Sequence, residues 1–574
     1  MDGIIASQGK ALAKSFPVQA PSFEIEKTPI HDIRAELDRF EDAKAECAQQ
    51  LGILIDELDD ESDSATIAIL EFQQLMLEDT DFLDKITDMI EQEKLNCEYA
   101  VQTASDEFVS FLQNLTDNDY LRERATDVSD LSTRLLSVLL NVSTKIEEPD
   151  HPYIAIAEDI APSRLAELDH HELRGIVLEE GSITSHCAII ATSLGIPCLV
   201  QVTGILEADT VGKLLLVDAI EGEVTIDPDD DQISAFKIYE KQREEERELF
   251  DQYAQRESRT LDGAFMGVYA NIISKDEVEP LLKQGGEGVG LFRTELVYML
   301  KTNAAPTEEE QYAEYFAVAS ALEQRPLIIR TLDVGGDKEI EYLHIQKEEN
   351  PYLGYRAIRY CLDNPDLFKA QIAAILRAGA DHNVKMMLPL ITCKDEITKT
   401  KQLVKEVCIE LDERGVTYDA DMQIGIMMET PAAALDSARL ARDVDFFSIG
   451  TNDLSQYLFA ADRNNAKLLE LNSFFQPTLL RAIDMIARTA HEAGIEVEIC
   501  GRAGEILELV PLWIAMGIDN VSVSIPAITK VRHAICHTNK ADSEKLKDAV
   551  LELDTVEEVR VMLSQYREQG GVRP

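Results

Sequence analysis

Charged side chains follow several evenly spaced hydrophobic runs in the C-terminal half of the chain. Arg293 follows one run, Arg330 ends the next, and Glu429 ends a later one. Asp453 and Arg463 come shortly after the run that follows. Guanidinium groups match the geometry of phosphate and carboxylate, and carboxylates are hard oxygen ligands for Mg²⁺. The pattern therefore predicts a site that binds a small polyanion with Mg²⁺, an arrangement that suits phosphoryl transfer.

A second candidate site centres on His186, which follows a predicted strand and opens a predicted helix in the segment 180–189. A histidine at that place can carry a phosphoryl group, because free backbone N–H groups at the start of a helix favour an anion. Thr184 is placed to fix the ring by a hydrogen bond, which decides which nitrogen attacks. The alternative is an incidental histidine in a polar turn. A metal site is disfavoured, since only Cys187 lies nearby as a second ligand type.

Cys500 ends a further hydrophobic run, beside the predicted anion site. A cysteine at the end of a strand is more often a small buried apolar residue than a reactive group. Its position beside the charged residues also makes it a candidate for proton transfer. The residue pattern leaves both interpretations open.

Regular alternation of strands and helices beyond Leu261 predicts the element that positions these side chains. Eight strand-like runs alternate with helical stretches, which predicts a TIM barrel with its site at the carboxyl ends of the strands. An open doubly wound sheet shows the same alternation, but the number of units and the lack of a glycine fingerprint favour the barrel. The runs cover residues 266–272, 288–292, 327–331, 385–389, 424–428, 445–449, 496–500 and 520–524.

Composition changes along the chain predict a multidomain α/β protein. Residues 21–145 are almost free of Gly and Pro and have helical periodicity, which predicts an all-helical bundle. Short apolar runs in residues 146–230 predict an α/β domain, to which residues 1–20 contribute the first strand. The bundle is then an insertion within that domain. Residues 231–260 contain one charged connecting helix, predicted over 231–258, and residues 261–574 form the barrel.

The charge balance limits the possible partners. The chain has 54 Lys and Arg residues against 107 Asp and Glu residues, a formal net charge of −53. Such a surface repels nucleic acids and anionic membranes and attracts basic proteins, although solubility explains it equally well. Nine cysteines without a C-x-x-C pair indicate reduced thiols. With no signal-peptide pattern and no long apolar run, we expect a cytoplasmic protein that does not span a membrane.

Long sequence motifs lie along nearly the whole chain. They include GVGLFRTEL at 288–296, RTLDVGGDKE at 330–339, GIMMETPAA at 425–433 and DFFSIGTNDLSQY at 445–457, besides the histidine segment at 181–191. Through these motifs the chain resembles enzyme I of the bacterial phosphoenolpyruvate-dependent sugar phosphotransferase system. The motifs are long and specific, so the resemblance does not depend on any one short match.

The resemblance implies an N-terminal phosphohistidine domain whose inserted helical domain binds the small carrier protein HPr. It implies a C-terminal barrel that binds phosphoenolpyruvate and forms a homodimer. The reaction it implies transfers phosphoryl from phosphoenolpyruvate to Nε2 of His186 and then to a histidine of HPr, releasing pyruvate, as the first step of sugar uptake. His186 lies outside the predicted barrel, so the resemblance also implies a swing of its domain, with the helix at 231–258 as the hinge arm.

Matched position by position, the resemblance also implies roles for individual residues. Cys500 would protonate the enolate, and Glu429 and Asp453 would bind Mg²⁺. Lys338 and Arg356 would support the anion site. Phosphoenolpyruvate would be contacted by Arg293, Arg330, Asn452, Asp453 and Arg463.

Several positions depart from the family's pattern. Ser182 replaces a glycine, Thr192 replaces an arginine six residues after His186, and Arg502 alters the motif after Cys500. In the bundle, Glu-Ala-His is replaced by Glu71-Phe72-Gln73. Losing one charge-assisted hydrogen bond to phosphate costs about 1.5–3 kcal/mol, so we expect a divergent but active enzyme.

Two alternatives remain. A regulatory paralogue would bind carrier proteins with little turnover, and the departures from the family's pattern motivate it. A dikinase-related enzyme shares the histidine domain and the barrel, but it needs a large nucleotide-binding domain where this chain has a small acidic bundle.

Overall fold

The computed structural model describes residues 1–568 apart from positions 20, 22, 24, 58–69, 71, 72, 75, 78, 79, 115–118, 143–145, 147, 170, 183, 184, 208, 209, 300, 302, 303, 337–339, 347 and 464. For His186 and some other helical residues it describes the backbone alone. The chain divides into two units, Met1–Arg243 and Glu244–Pro574.

A mixed sheet forms the centre of the first unit, with the strand order β1-β5-β4-β3-β2-β6-β7. Strands β2 to β5 pair in parallel, while β1, β6 and β7 join by antiparallel pairing. Every residue of β3 is buried, as expected for a central parallel strand covered on both faces. The strands of the first unit are β1 (Ile4–Ser7), β2 (Lys10–Pro17), β3 (Tyr153–Ala157), β4 (Leu173–Leu178), β5 (Cys198–Val200), β6 (Leu214–Asp218) and β7 (Glu223–Ile226).

Helices in the first unit lie mostly between β2 and β3, which are neighbours in the sheet. Their apolar faces share a core of fully buried side chains that includes Phe40, Leu51, Phe82 and Leu135. The helices are α1 (Ile33–Glu57), α2 (Thr80–Glu91), α3 (Cys97–Asn114), α4 (Asp119–Leu139), α5 (Pro162–Ala166), α6 (His186–Ser193) and α7 (Asp230–Asp251), of which the last continues past Arg243.

A closed barrel forms the second unit, and in the described part of the chain eight parallel strands pair in sequence order, with β15 pairing back to β8. Each of the eight runs named from the sequence coincides with one of these strands to within one residue at either end. The predicted multidomain α/β fold class with a TIM barrel is confirmed. The strands are β8 (Gly267–Ile272), β9 (Val289–Arg293), β10 (Leu327–Arg330), β11 (Val384–Leu388), β12 (Ile424–Met427), β13 (Phe446–Ile449), β14 (Glu496–Ile499) and β15 (Asn520–Val523).

Helices surround the barrel, and residues with capping roles mark where some of them begin and end. Thr307 caps α10 in a reciprocal capping box with Glu310, and Gly494 ends α17 in a left-handed conformation. The helices are α8 (Val278–Lys283), α9 (Glu295–Met299), α10 (Glu308–Leu322), α11 (Ile358–Asp363), α12 (Pro365–Ala378), α13 (Lys394–Arg414), α14 (Pro431–Leu435), α15 (Ser437–Leu440), α16 (Thr451–Phe459), α17 (Pro477–Ala493), α18 (Val510–Met516), α19 (Ile528–Cys536), α20 (Lys540–Leu551) and α21 (Val556–Glu568).

Alternate residues of the barrel strands serve two different cores. Val497 and Ile499 of β14 pack with the surrounding helices in one large apolar cluster. Cys500 belongs to a small separate cluster with Leu291, Met387 and others from neighbouring strands. Because side chains alternate along a strand, Glu498 and Cys500 share the face opposite to Val497 and Ile499. The strand ends therefore aim a defined set of side chains at the barrel mouth.

Two elements differ from their predicted extents. Residues 1–20 contain two strands instead of one, because Gly9 takes a positive φ of 142° and redirects the chain between them. The connecting helix ends at Asp251 and not at residue 258. Beyond it the chain turns, and the carbonyl of Tyr253 accepts a hydrogen bond from the buried Arg532. The charge pattern of the sequence does not predict that the helix ends at Asp251.

Within the described residues, none of the helices combines the length and the apolar character that a membrane span requires.

The buried helix–barrel core predicts a large loss of stability on truncation. Leu480 of α17 is fully buried, so Leu480→Ala should lower the free energy of unfolding of the barrel by about 2–5 kcal/mol. Leu435→Ala is the matched control, because that side chain is 81% exposed and its removal should change little. Trp513, the single tryptophan, is buried in the same unit, so its fluorescence during denaturant titration measures both changes. Equal losses for the two variants would contradict this packing.

Candidate functional site

A cavity of about 1030 Å³ opens where the barrel strands end. Its wall combines side chains from the ends of β9, β10, β12, β13 and β14, which are far apart in sequence. Closure of the barrel brings these ends to one rim. Every predicted barrel-site residue that the structure describes lines this cavity: Arg293, Arg330, Arg356, Glu429, Asn452, Asp453, Arg463 and Cys500.

Two predicted site residues, Lys338 and Thr184, lie outside the described residues. In the sequence, Lys338 comes after β10 and Thr184 comes before α6. Their predicted roles stay predictions.

Asp333 connects two arginines at one side of the cavity. Its carboxylate accepts hydrogen bonds from Arg356 Nη2 at 2.9 and 3.0 Å and lies 3.1 Å from Arg330 Nη1. Glu295 is a second buried partner of Arg330. Burial disfavours the charge of Arg330, but the neighbouring carboxylates of Glu295 and Asp333 outweigh it and raise the pKa. Both guanidinium groups are therefore held charged and in fixed positions.

Asp453 lies in the first turn of α16, between the guanidinium groups of Arg356 and Arg463. Arg463 Nη1 is 3.2 Å from its Oδ2, and Arg356 Nη1 is 3.5 Å from its Oδ1. Asn452 precedes it and accepts a hydrogen bond from the backbone N–H of Arg502 at 3.2 Å. The start of a helix favours negative charge, which suits both a carboxylate and a bound anion.

Glu429 follows β12 and is almost completely buried. Its Oε1 accepts a hydrogen bond from the backbone N–H of Leu390 at 2.6 Å. Gly450 leaves room for the other oxygen, since a Cβ there would lie 2.8 Å from Glu429 Oε2. Burial raises the pKa of Glu429, and the negative charges of Asp453 and Asp333 raise it further. The buried Glu429 carboxyl therefore carries its charge more easily when a cation lies beside it.

Arg293 is a cation of the cavity wall that does not take part in this network of ion pairs. Its side chain is exposed on the cavity wall, and among the described residues its guanidinium has no hydrogen-bond or ion-pair partner. The surrounding protein removes part of the water around the Arg293 guanidinium. This desolvation and the nearby charge of Arg330 both lower its pKa. Arg330 contributes a buried Nε that likewise has no partner within the described chain. Unpaired donors around a cavity are what a bound anion would satisfy.

Cys500 closes the inner end of the cavity and is 3% exposed. Burial raises the pKa of its thiol to about 12, with the Glu498 carboxylate adding to the effect. The thiol therefore keeps its proton at neutral pH, and its Sγ donates a weak hydrogen bond to the Ile449 carbonyl at 3.6 Å. Such a group is a poor nucleophile and a possible proton donor.

In the first unit, His186 is the first residue of α6, as the sequence predicts for a histidine at a helix start. Ser185 caps the helix, and its Oγ accepts a hydrogen bond from the Ala188 N–H at 3.3 Å. Gly181 begins the turn before it with a φ of 93°. The backbone therefore has the arrangement in which free N–H groups favour an anion near the first turn.

Comparison with known proteins covers all parts of the chain. Residues 247–540 match the family described as "PEP-utilising enzyme, PEP-binding domain", residues 2–124 its N-terminal domain and residues 149–222 its mobile domain. A phosphoenolpyruvate-protein phosphotransferase from Priestia megaterium is 36% identical over 97% of both chains. Another from Enterococcus faecalis is 36% identical over 99% of both chains.

The chain belongs to the phosphoenolpyruvate-protein phosphotransferase family. It is an enzyme that transfers a phosphoryl group from phosphoenolpyruvate to protein. The family that the sequence motifs predict is confirmed.

Two departures from the family's pattern have structural roles in this enzyme. The Thr192 hydroxyl donates to the Ala188 carbonyl at 2.8 Å, so it bonds its own helix. Gln73 is buried and donates to Asp130 Oδ2 at 2.8 Å, while Ser163 Oγ donates to Asp130 Oδ1 at 2.7 Å. Asp130 thereby ties the helical bundle to α5 of the sheet domain.

The sequence pattern does not identify the side chains that contact and position the site residues. Asp333 and Glu295 stand inside recognised motifs, but only the fold shows that they clamp the arginines. Glu498 and Ser448 lie within predicted strands, where the sequence pattern gives them no role. A signal was available, because Glu498 is two residues before Cys500 and so must share its face of the strand.

Asp333 holds two buried cations, so its removal predicts a large destabilisation. Asp333→Ala should lower the free energy of unfolding by about 3–5 kcal/mol, because it leaves Arg330 and Arg356 without their shared partner. Asp436→Ala is the control, since that residue pairs with an exposed Arg439 and should contribute about 0–1 kcal/mol. Denaturant titration followed by Trp513 fluorescence measures both. A loss below 1 kcal/mol for Asp333→Ala would show that the clamp is not needed for stability.

Proposed function

We propose that this enzyme transfers phosphoryl from phosphoenolpyruvate to Nε2 of its own His186 and then to a histidine of an HPr-type carrier protein. Pyruvate leaves, and the transfer begins a phosphorelay for sugar uptake. The observation that carries the proposal is one cavity that combines partner-free cationic donors with buried carboxyl groups close to one another.

The cationic side of the cavity suits phosphoenolpyruvate. Arg293 is exposed and without a partner among the described residues, and Arg330 keeps an unpaired Nε. Asn452, Asp453 and Arg463 lie on the same wall and are proposed to contact the substrate too. Lys338 and Arg356 are proposed to support this site. Phosphate and carboxylate groups both match guanidinium donors, so one small dianionic or trianionic substrate satisfies several of them.

Glu429 and Asp453 are proposed to hold Mg²⁺, in keeping with the divalent cation that phosphoenolpyruvate-utilising enzymes generally require. The fit rests on their chemistry, since carboxylates lining one cavity supply the oxygen ligands that Mg²⁺ prefers. It also rests on the raised pKa of Glu429, which indicates negative charge in need of a counter-charge. When bound, the cation would withdraw charge from the phosphoryl oxygens.

In the proposed reaction Nε2 of His186 attacks phosphorus, and an N–P bond forms as the bond from phosphorus to the enol oxygen breaks. The electron pair stays on that oxygen as an enolate, whose charge the arginines stabilise. C3 of the enolate then takes the proton of the Cys500 thiol, which gives pyruvate and a thiolate. A thiol with a pKa of about 12 keeps its proton until a strong base such as the enolate forms. Thr184 is proposed to orient the His186 ring.

The partners and the domain roles form part of the same proposal. We assign residues 1–20 with 146–230 to the phosphohistidine domain and 21–145 to HPr binding. Residues 231–260 act as the linker, and 261–574 bind phosphoenolpyruvate and form the homodimer. The net charge of −53 suits a basic face on the carrier. The proposed location is the cytoplasm, where phosphoenolpyruvate and the carrier meet.

Phosphoryl transfer to His186 predicts a label that resists base and is lost in acid. Purified full-length protein, incubated with ³²P-phosphoenolpyruvate and Mg²⁺, should incorporate label and pass it to added HPr. His186→Ala should remain unlabelled, because it lacks the acceptor nitrogen. His171→Ala, an exposed histidine of the same unit, is the control and should label normally. Folded wild-type protein that binds HPr but takes up no label would favour the regulatory paralogue.

A cation bound by Glu429 and Asp453 predicts a stabilisation that needs no turnover. Mg²⁺ at a hundred times its Kd should stabilise the barrel by about 2.7 kcal/mol, measured as a rise in the Trp513 unfolding midpoint. Glu429→Gln should lose most of this rise. Glu508→Gln removes an exposed carboxylate that pairs with Arg567, and this variant should keep the rise in the unfolding midpoint. A rise of equal size in both variants would place the cation elsewhere.

A further inference from the structure

A buried carboxyl group lies in the barrel interior directly beneath the proposed acid. Glu498 is 3% exposed and is the cross-strand neighbour of Ser448 on β13. It precedes Cys500 by two residues on the same strand, so both side chains point into the barrel. Ile499 between them packs outward, against the helices. No part of the proposed reaction uses this carboxyl group.

Ser448 links the carboxyl group to the thiol. Its Oγ lies 2.7 Å from Glu498 Oε1, a normal hydrogen-bond distance. The Cys500 thiol lies two residues further along the same face of β14, near enough to this hydroxyl for Ser448 to lower the pKa of the thiol. A hydroxyl both donates and accepts, so it can pass a proton from one neighbour to the other. The three groups therefore form a continuous chain that ends at the cavity.

The barrel leaves space for this carboxyl group and does not neutralise it. Gly290 lacks a side chain where a Cβ would lie 3.0 Å from Glu498 Oε2. That oxygen is buried and has no hydrogen-bond partner among the residues that the structure describes. An unpaired buried oxygen is far less costly on a neutral carboxylic acid than on a carboxylate. The geometry thus favours the protonated form.

The charges around Glu498 support the same conclusion. Lys385 on β11 is the nearby cation, but it is already 2.8 Å from Glu496. Tyr269 on β8 and Cys500 also lie within its field. Burial, with a contribution from Glu496, raises the pKa of Glu498 to about 8, against the hydrogen bond of Ser448 and the charge of Lys385. The group is therefore a neutral acid below that pH and loses its proton above it.

We propose that Glu498 is the proton reserve of the active site and re-protonates the Cys500 thiolate through the Ser448 hydroxyl. The inference rests on the proposed function, in which Cys500 gives its proton to the enolate. It makes Glu498 a positioning residue that acts on the reaction through Cys500, without touching the substrate.

The proton count balances over one turnover. Cys500 gives one proton to C3 of the enolate, and a thiolate remains. The Ser448 hydroxyl donates its proton to the thiolate Sγ while it accepts one from Glu498 Oε1, which leaves a carboxylate. Transfer in this direction is downhill, because a thiol of pKa about 12 binds a proton more tightly than a carboxyl of pKa about 8. Water returns one proton to Glu498 after pyruvate leaves.

The test follows the full chain over several turnovers with an excess of HPr, so that Cys500 must recover its proton between turnovers, and it measures phosphoryl transfer and pyruvate formation separately. ³²P-phosphoenolpyruvate measures the phosphohistidine that forms, and lactate dehydrogenase with NADH measures the pyruvate, from pH 6 to 9.5. Glu498→Gln keeps the size of the side chain and an oxygen that accepts from Ser448, but it has no proton to give. Ser448→Ala keeps the acid and breaks the connection. Glu496→Gln changes the next carboxylate of the same strand and is the control.

We expect the wild-type pyruvate rate over several turnovers to fall above pH 8, as Glu498 loses its proton, while labelling in the first turnover is unaffected. Glu498→Gln and Ser448→Ala should label within about twofold of the wild type in the first turnover but form pyruvate about tenfold more slowly in later turnovers, without that fall, because a positioned proton donor contributes at least that much. Glu496→Gln should match the wild type at the acid end of the pH range, with its fall in rate moved to lower pH because Glu496 helps to raise the pKa of Glu498. Trp513 fluorescence confirms folding, and either variant alone suffices if the other does not fold.

The two possible failures look different. Label that forms normally, followed by pyruvate at wild-type rate and with the wild-type pH profile in both variants, would overturn the relay alone. A wild type that never forms phosphohistidine would overturn the proposed function, and the relay with it.

Discussion

The structure of this enzyme depends on the confinement of opposite charges at the end of a barrel. Asp333 lies between Arg330 and Arg356, and Asp453 lies between Arg356 and Arg463, so cations and anions alternate around the rim. Buried pairs of this kind contribute little net stability, since desolvation offsets most of their attraction. The contribution of these pairs is to fix the positions of the charged side chains. Each guanidinium is fixed before a substrate arrives, which is the condition for electrostatic catalysis.

That alternation is incomplete in two places, and the chemistry is proposed to occur there. Arg293 has no partner among the described residues, and Glu429 is buried near the carboxylates of Asp453 and Asp333, which raise its pKa. A site with an unsatisfied cation and an unsatisfied anion is suited to a substrate and a metal ion together. Beneath it, Cys500 and Glu498 are held neutral by burial, so protons are stored where the charged groups end.

The sequence predicts the barrel and most of its cavity for a physical reason. A parallel strand buried on both faces must be a short apolar run, and its carboxyl end must carry the functional residue, so Arg330, Glu429 and Asp453 are recognisable by place. Glu498 was not recognised, because a single acid within an apolar run shows its meaning only when the register sets it beside Ser448. The stop of α7 at Asp251 depends on Arg532, nearly three hundred residues away, so local pattern gave no sign of it.

The most direct test of the account is diffraction from crystals of the full chain grown with Mn²⁺ in place of Mg²⁺ and a non-reactive phosphoenolpyruvate analogue. The account predicts an anomalous peak within coordination distance of both Glu429 and Asp453, with the phosphonate or phosphate group of the analogue against Arg293 and its methylene end facing Cys500. Manganese bound elsewhere, or an analogue outside this cavity while the crystals hold it at saturating concentration, would contradict the central claim.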